Sequence, residues 1–456
     1  MTTSATLAAL ADTLPDGVVV TDPDRLAGYR YDRAQDPEAG TPLALVRPTT
    51  TAEVQSTLRW CAAHGVKVVT RGAGTGLSGG STAQDGVLLL STERMRALSV
   101  DTATRTATVQ PGLLNAEVKA AAAEHGLWYP PDPSSFEICS IGGNVATNAG
   151  GLCCVKYGVT SDYVLGLEVV LADGRAVRFG GRHIKDSAGL SLTKLFVGSE
   201  GVLGIITEVT LRLLPPQPPR ATVVGMFSSV SDAGRAVLAV TNQIRPALLE
   251  FMDSVAINAV EDELHMGLPR EAAALLVAQS DAPGAAGQAE MALIEESFRA
   301  HGATETFATD DPADGEAFTA ARRAAIPAVE KLGTLLLEDV GVPLPVLTDL
   351  IEGVAAIAAA QDVTISVIAH AGDGNTHPLI AFDASDAAQR ARAHEAFGQI
   401  MDLAISLGGT ITGEHGVGRL KKAWLPNQVG PDVMQLTAAI KAALDPDGLL
   451  NPGVMV

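Results

Sequence analysis

Two short segments near the C-terminal end concentrate the residues best suited to chemistry. AHAGDGNTHP places His370 and His377 seven residues apart on either side of Gly-Asp-Gly-Asn, and TITGEHGVGR puts Glu414 and His415 side by side between glycines. A separation of seven is two turns of a helix, but Gly-Asp-Gly-Asn is turn chemistry. The expected arrangement is therefore a strand, TISVIAH, running into a loop that folds both imidazoles toward one point. Glu414 and His415 are adjacent, so they point in different directions and can serve different tasks. Two imidazoles and a carboxylate are the ligand set of Zn²⁺ or a similar divalent ion with an open coordination position. Either segment alone would also suit histidines satisfied by backbone carbonyls; together they are much more specific.

A third element is cationic. ARRAAIPAV sets Arg322 and Arg323 in an Ala-rich helical stretch. Arginine grips a planar carboxylate with two parallel hydrogen bonds, although a helical Arg pair suits a solvated face equally well.

The N-terminal half holds two glycine-rich segments. RGAGTGLSGGS, Arg71 to Ser81, follows the strand-like VKVVT, and five of its residues are glycine. Glycine lets backbone N–H groups turn inward and approach a ligand closely, which makes a nest for pyrophosphate oxygens. Gly74-Thr75-Gly76-Leu77-Ser78-Gly79 is a GxGxxG string only in shifted form, and GVLLLS after it is a strand. A Rossmann site is therefore disfavoured. CSIGGNVATNAGGLCCVKYG, 139–158, has paired glycines at 142–143 and 150–151 with Asn144, Thr147 and Asn148 between them. Read as a second loop, it suits a backbone pressed against a flat polar heterocycle. PPDPSSFE just upstream adds a rigid, proline-bounded approach.

The elements that must position these groups fit a chain of this size and composition. Its 456 residues carry 32 Lys+Arg against 52 Asp+Glu, a net charge of −20, which argues against nucleic acid and anionic membrane surfaces as partners. Hydrophobic residues make up 47% and charged residues 18%, enough to bury a sizeable core. The four cysteines, Cys61, Cys139, Cys153 and Cys154, are too few and irregular for a disulfide framework or zinc ribbon, and fit a reducing compartment. No cysteine cluster here could hold an iron–sulfur centre. MTTSATLAALADTLPDG has no leading positive charge and carries Asp12 and Asp16, so no signal peptide is expected. No window approaches the roughly 18 uninterrupted apolar residues of a membrane span; the blandest stretch, Val354 to Ala360, reads as a buried helix segment. A soluble, cytoplasmic protein is the expectation.

Short β-rich runs alternate with helical patterns from about residue 44. Strands are expected at LALVRP, VKVVT, GVLLLS and ATVQPG, and helices at TTTAEVQSTLRWCAAHG and from Asn115 to His125. Asp173-Gly174 marks a two-residue hairpin. The proline cluster Pro215 to Pro219 is the domain boundary, giving domains of 1–215 and 216–456. Beyond it ATVVGMF, a helix from Asp232 to Thr241, PALLEFMD and AALLVAQSD read as β-α-β units.

The order VVTRGAGTGLSGG, PPDPSS, CSIGGNVATNAGG and KLFVGSEGVLGIITEVTLRLLP closely resembles the FAD-binding domain of vanillyl-alcohol oxidase type flavoproteins. HAGDGNTH and GEHG narrow the resemblance to the branch of glycolate oxidase D subunits, D-lactate dehydrogenases and D-2-hydroxyglutarate dehydrogenases. It runs from about Pro42 to Val454. The fold it implies is α+β: a two-part FAD-binding domain, then a C-terminal α+β substrate cap with an antiparallel sheet, its last residues returning to the flavin. The resemblance implies that Arg71, Gly72, Gly74, Thr75, Gly76, Leu77, Ser78 and Gly79 hold the FAD pyrophosphate. Pro131, Asp132, Ser140, Gly142, Gly143, Asn144, Thr147, Asn148, Gly151 and Asn451 would line the cofactor, and Ile206 its adenine side. The first loop has no His or Cys, so dissociable FAD is expected, with Cys139, Cys153 and Cys154 as packing residues. His370, His377 and Glu414 become the metal ligands, for zinc or alternatively manganese or iron. His415 becomes the base and Arg322 the substrate-carboxylate ligand, with Arg323 pointing away.

These parts imply oxidation of a D-2-hydroxy acid to the 2-oxo acid by hydride transfer to flavin, drawing on both halves of the chain. GTLLLEDVG and HPLIAF are mostly apolar where dicarboxylate-specific members carry polar or basic residues, which favours D-lactate or glycolate over 2-hydroxyglutarate. The competing readings are a flavin-free His/His/Glu hydrolase and a flavin-bearing electron-relay subunit. The electron acceptor stays open between a quinone, a cytochrome, an iron–sulfur partner subunit and O₂. A homodimer, and attachment to the inner membrane face through a partner, stay open too.

Overall fold

The computed structural model describes residues 3–456; Met1 and Thr2, which begin the N-terminal stretch read above for a signal peptide, lie outside the described residues. The chain divides into two compact units. The first takes the chain up to Gly150, then Val159–Gln217 and Glu414–Val456, and the second takes Gly151–Gly158 and Pro218–Gly413. The crossing after Gln217 lies within the proline cluster. Glu414–Val456, which the division at 215/216 counts with the second half, joins the first unit.

The first unit holds two sheets. Ala44–Val46, Leu88–Ser91 and Val68–Arg71 run parallel, with Val19–Val20 antiparallel at one edge. The helix Thr51–His64 buries Val54, Leu58 and Cys61 in one core with Val46, Val68, Leu88 and Leu90 of the parallel strands; Thr50 accepts the Glu53 N–H at its start and Gly65, left-handed at φ 64°, ends it. The second sheet is antiparallel, in the order Leu98–Asp101, Thr106–Val109, Ile205–Arg212, Val164–Val170, Ala176–Gly180. Asp173-Gly174 turns the expected hairpin, pairing Val170 with Ala176. The C-terminal tail adds a bridge at the Val68 edge, where Asn451 N–H meets the Val68 carbonyl at 2.8 Å.

In the second unit an antiparallel sheet runs Ala303–Thr309, Ala221–Phe227, Ala274–Ser280, Leu248–Asp253, Thr364–His370, Asn375–Phe382, Thr334–Leu337, with Val340–Gly341 also pairing Asn375–Phe382. The β-α-β succession therefore feeds no parallel pair. Helix Pro312–Glu330 starts from the Asp311 cap and buries Gly315, Thr319, Arg322, Ala325 and Val329, one stripe at helical spacing.

Two expectations fail. Ala355, Ala356, Ala359 and Ala360 are exposed; the helix Leu347–Gln361 buries only Leu347, Leu350, Ile351 and Val354. Residues 344–361 are long and apolar enough for a membrane span, yet their apolar side packs on Ala387–Ser406 and Thr364–His370. The second glycine-rich segment is a helix, Ile141–Thr147, rather than a loop. Ser140 caps it by accepting the Gly143 N–H, and Gly142 is required because a Cβ there would lie 2.6 Å from Pro111 Cβ.

Candidate functional site

In the second unit the strand registers assemble the polar cluster. Thr364–His370 and Asn375–Phe382 form a hairpin around the expected turn, in which Asp373 and Gly374 N–H groups return to the His370 carbonyl. Gly374 adopts φ 86°, and a Cβ there would lie 2.2 Å from the Val342 carbonyl oxygen. His377 is not in the loop, as expected, but three residues into the strand, opposite Ile368. Ile368 and His370 share a face because side chains alternate along a strand, so both imidazoles project to one side. Their rings are perpendicular with centroids 5.1 Å apart, and they offer ligand atoms within 4.8 Å of one another.

On the other side of Thr364–His370, Met252 pairs with Ile368 and Phe251 with Ala369, which brings Glu250 opposite His370 at the next step. Glu250, 1% exposed, accepts the His370 Nδ1–H at 2.8 Å and forms an ion pair with Arg322, whose Nη2 lies 2.9 Å from Oε2. A carboxylate only accepts, so Nδ1 carries the proton and Nε2 keeps the lone pair a metal requires. Arg322 is itself 1% exposed, inside the buried stripe of its helix. Arg323 lies one position off that stripe and pairs with Glu316 at 3.0 Å.

Glu338 and Asp339, both fully buried, follow the strand Thr334–Leu337. Asp339 Oδ2 accepts the Thr412 hydroxyl at 2.7 Å and the Gly413 N–H at 2.9 Å, while Oδ1 lies 3.8 Å from His377 Nδ1. Sequence reasoning passed over Glu250 and Asp339. The signal was there: an acid inside an apolar run such as LLEFMD must find a partner when buried.

In the first unit the glycine-rich loop 71–81 is tied down from several sides. Arg71 donates to the Tyr31 carbonyl at 2.8 Å, and buried Asp32 accepts from Ser81 and Thr82. Burial pushes the Asp32 carboxyl up and the Arg71 guanidinium down. The two glycine-rich segments meet at Ser140, which accepts the Ala73 N–H; a Cβ on Gly72 would lie 2.3 Å from that hydroxyl. Asn144 bonds Asn115 and Cys139, the Thr147 hydroxyl bonds the Gly143 carbonyl, and Asn148, left-handed, accepts the Ser161 N–H. Pro131, Asp132 and Ile206 are buried, and Gly151 falls in the second unit. Asn451 donates to the Gly80 and Glu200 carbonyls.

The Glu414–His415 loop belongs to this unit. His415 Nε2 lies 3.9 Å from Glu414 Oε1, and the Ser78 hydroxyl donates to the His415 carbonyl at 3.1 Å. Buried Glu200 accepts the Val417 and Gly418 N–H groups, each at 2.7 Å. Desolvation pushes its carboxyl up to about 7 despite those two donors.

Residues 42–180 match the FAD binding domain family, and residues 217–455 match the FAD linked oxidases, C-terminal domain. The chain belongs to the FAD-linked oxidases. The protein is an FAD-dependent oxidoreductase. It is 40% identical to the glycolate oxidase subunit GlcD of Bacillus subtilis over 94% of this chain and 91% of that one. Against the D-lactate dehydrogenase of Archaeoglobus fulgidus the identity is 35%, over 94% and 95%. The structure of p-cresol methylhydroxylase superposes with a TM-score of 0.82 at 18% identity, covering 99% and 96%, and shows the shared fold, the vanillyl-alcohol oxidase type.

Proposed function

We propose that the protein oxidises a small D-2-hydroxy acid, D-lactate or glycolate ahead of D-2-hydroxyglutarate, to the 2-oxo acid, using dissociable FAD and a divalent metal. The observation that carries this reading is the pair of perpendicular imidazoles, His370 and His377, in one unit with the buried Arg322. Glu414, the residue after the anchored Gly413, is by resemblance the third ligand of the proposed donor set for zinc, or for manganese or iron. Such an ion, when bound, acidifies a coordinated hydroxyl. Arg322 holds the substrate carboxylate and His415 removes the hydroxyl proton. FAD, when bound, would supply the redox chemistry by accepting the two electrons of the Cα–H bond as hydride.

The preference for a monocarboxylate has support in the relatives' names, glycolate oxidase subunit and D-lactate dehydrogenase. It is also supported by Glu338 and Asp339, two buried acids alongside the His377 strand, which would oppose a second substrate carboxylate. A partner subunit that accepts the electrons is part of the proposal, because GlcD is named as a subunit; cytoplasmic placement with that partner at the membrane follows the same reading. Replacing His415 by Ala should abolish anaerobic flavin bleaching by D-lactate while FAD and metal stay bound. Near-normal bleaching would defeat the assignment, and bleaching that survives metal removal by chelator would defeat the metal's part.

A further inference from the structure

Glu250 sits on the central strand Leu248–Asp253, whose neighbours in LLEFMD are apolar and buried. A carboxylate at 1% exposure in such a strand is costly unless opposite charge and hydrogen bonds compensate it. Its two partners are the groups to which the proposed reaction gives separate tasks. Oε1 accepts from Nδ1 of His370 at 2.8 Å, and Oε2 faces the Arg322 guanidinium as its counter-charge, 2.9 Å from Nη2. One rigid carboxylate, fixed by its place in the sheet, thus sets both the imidazole tautomer and the orientation of the guanidinium fork.

We infer that Glu250 is a positioning residue that joins the metal site to the substrate-carboxylate site: it holds His370 with Nε2 directed outward for metal and holds Arg322 in the pose that grips the substrate. This rests on the proposed function, since it takes His370 as a ligand and Arg322 as the substrate anchor. The physical ground is general. Outer groups that receive the second N–H of a metal-bound histidine fix its ring, and removing one typically weakens metal binding about 10- to 100-fold. Sharing the group with Arg322 adds a consequence that a purely structural ion pair lacks, because disturbing Glu250 must move two separate equilibria.

Glu250→Gln alone leaves Arg322 buried without its counter-charge and risks misfolding, so the charge-balanced pair Glu250→Gln/Arg322→Met is the primary variant. Metal-stripped flavoprotein is titrated with Zn²⁺ against a chromophoric chelator, with flavin content and circular dichroism confirming the fold. The double variant should bind Zn²⁺ at least about tenfold more weakly than the wild type, while Arg322→Lys, which keeps a cation beside Glu250, should stay within about threefold of it. In Glu250→Gln at saturating Zn²⁺, the KM for D-lactate should rise about tenfold or more with kcat much less affected, as expected when ground-state anchoring is lost. A double variant that binds Zn²⁺ like the wild type, or an unchanged KM in Glu250→Gln, overturns the coupling. A wild type that takes up no Zn²⁺ overturns the proposed metal function together with it.

Discussion

Asp339 Oδ2 accepts the backbone N–H of Gly413 at 2.9 Å, and Gly413 immediately precedes Glu414 in the chain. The same oxygen takes the Thr412 hydroxyl at 2.7 Å. A fully buried acid with no assigned task in the reaction therefore fixes the point from which the proposed third ligand departs. Asn at this position keeps the shape, but it presents only one accepting oxygen, and its NH₂ would meet a donor. Asp339→Asn should cost roughly 1–3 kcal/mol of stability and lower kcat/KM for D-lactate by at least about tenfold. Chemical denaturation and steady-state kinetics check the two effects; a variant that loses stability but keeps full activity would reduce Asp339 to scaffolding.

Glu200 gives the protein a pH-dependent stability term of defined sign. Burial raises its carboxyl from 4.5 to about 7, so between those values the folded state binds a proton that the unfolded chain releases. Stability from this group is therefore fully present below about 4.5 and declines as pH rises to about 7, a total of about 3 kcal/mol for a shift of that size. Glu200→Gln does not titrate. Its unfolding free energy, measured across pH 5 to 8, should lack this downward slope relative to the wild type; parallel curves would remove Glu200 as the source.

Much of this architecture is legible in the sequence because local signals and burial agree. Thr50 and Gly65 bracket a helix, Asp173-Gly174 turns a hairpin, and Gly-Asp-Gly-Asn turns the chain between the two histidines. Where they disagree, context wins. Four glycines in CSIGGNVATNAGG argue for a loop, but Ser140 caps a helix there, and Gly142 and Gly72 are small because Pro111 and Ser140 press against them. The alanines from Ala355 to Ala360 suit a core by composition, yet the helix presents most of them to the surface. For Glu250 and Asp339 the sequence signals burial with a partner, and only the identity of that partner is missing from it. Their meaning depends on strand register, since only the pairing of Met252 with Ile368 sets Glu250 against His370, and register between distant strands cannot be read along the chain.

The buried acids beside the His377 strand bear on substrate choice. Glu338 N–H meets the Pro378 carbonyl at 2.9 Å, which holds Glu338 and Asp339 against the residue after His377. A substrate with a second carboxylate on that side would face like charge in a low-dielectric setting, worth on the order of 1–3 kcal/mol. We expect kcat/KM for D-lactate to exceed that for D-2-hydroxyglutarate by about tenfold or more, and Glu338→Gln to narrow the gap. Faster turnover of D-2-hydroxyglutarate by the wild type would reverse the preference.

Gly418 and Gly448 separate backbone strain from collision. Both adopt left-handed φ, 53° and 60°, so alanine at either costs about 1 kcal/mol from conformation alone. A Cβ on Gly448 meets nothing within 4 Å, whereas one on Gly418 would lie 2.0 Å from the Ser78 carbonyl oxygen. Ser78 also donates its hydroxyl to the His415 carbonyl, and Gly418 N–H is held by Glu200, so the collision must displace the glycine-rich loop, the His415 loop, or both. Gly448→Ala should lose about 1 kcal/mol in thermal unfolding with its rate of flavin reduction unchanged. Gly418→Ala should lose more stability and slow flavin reduction by D-lactate at least tenfold, roughly the effect of a 1 Å misplacement at a reacting centre. Equal behaviour of the two variants would mean that the contact between Ser78 and the His415 loop does not control the reaction.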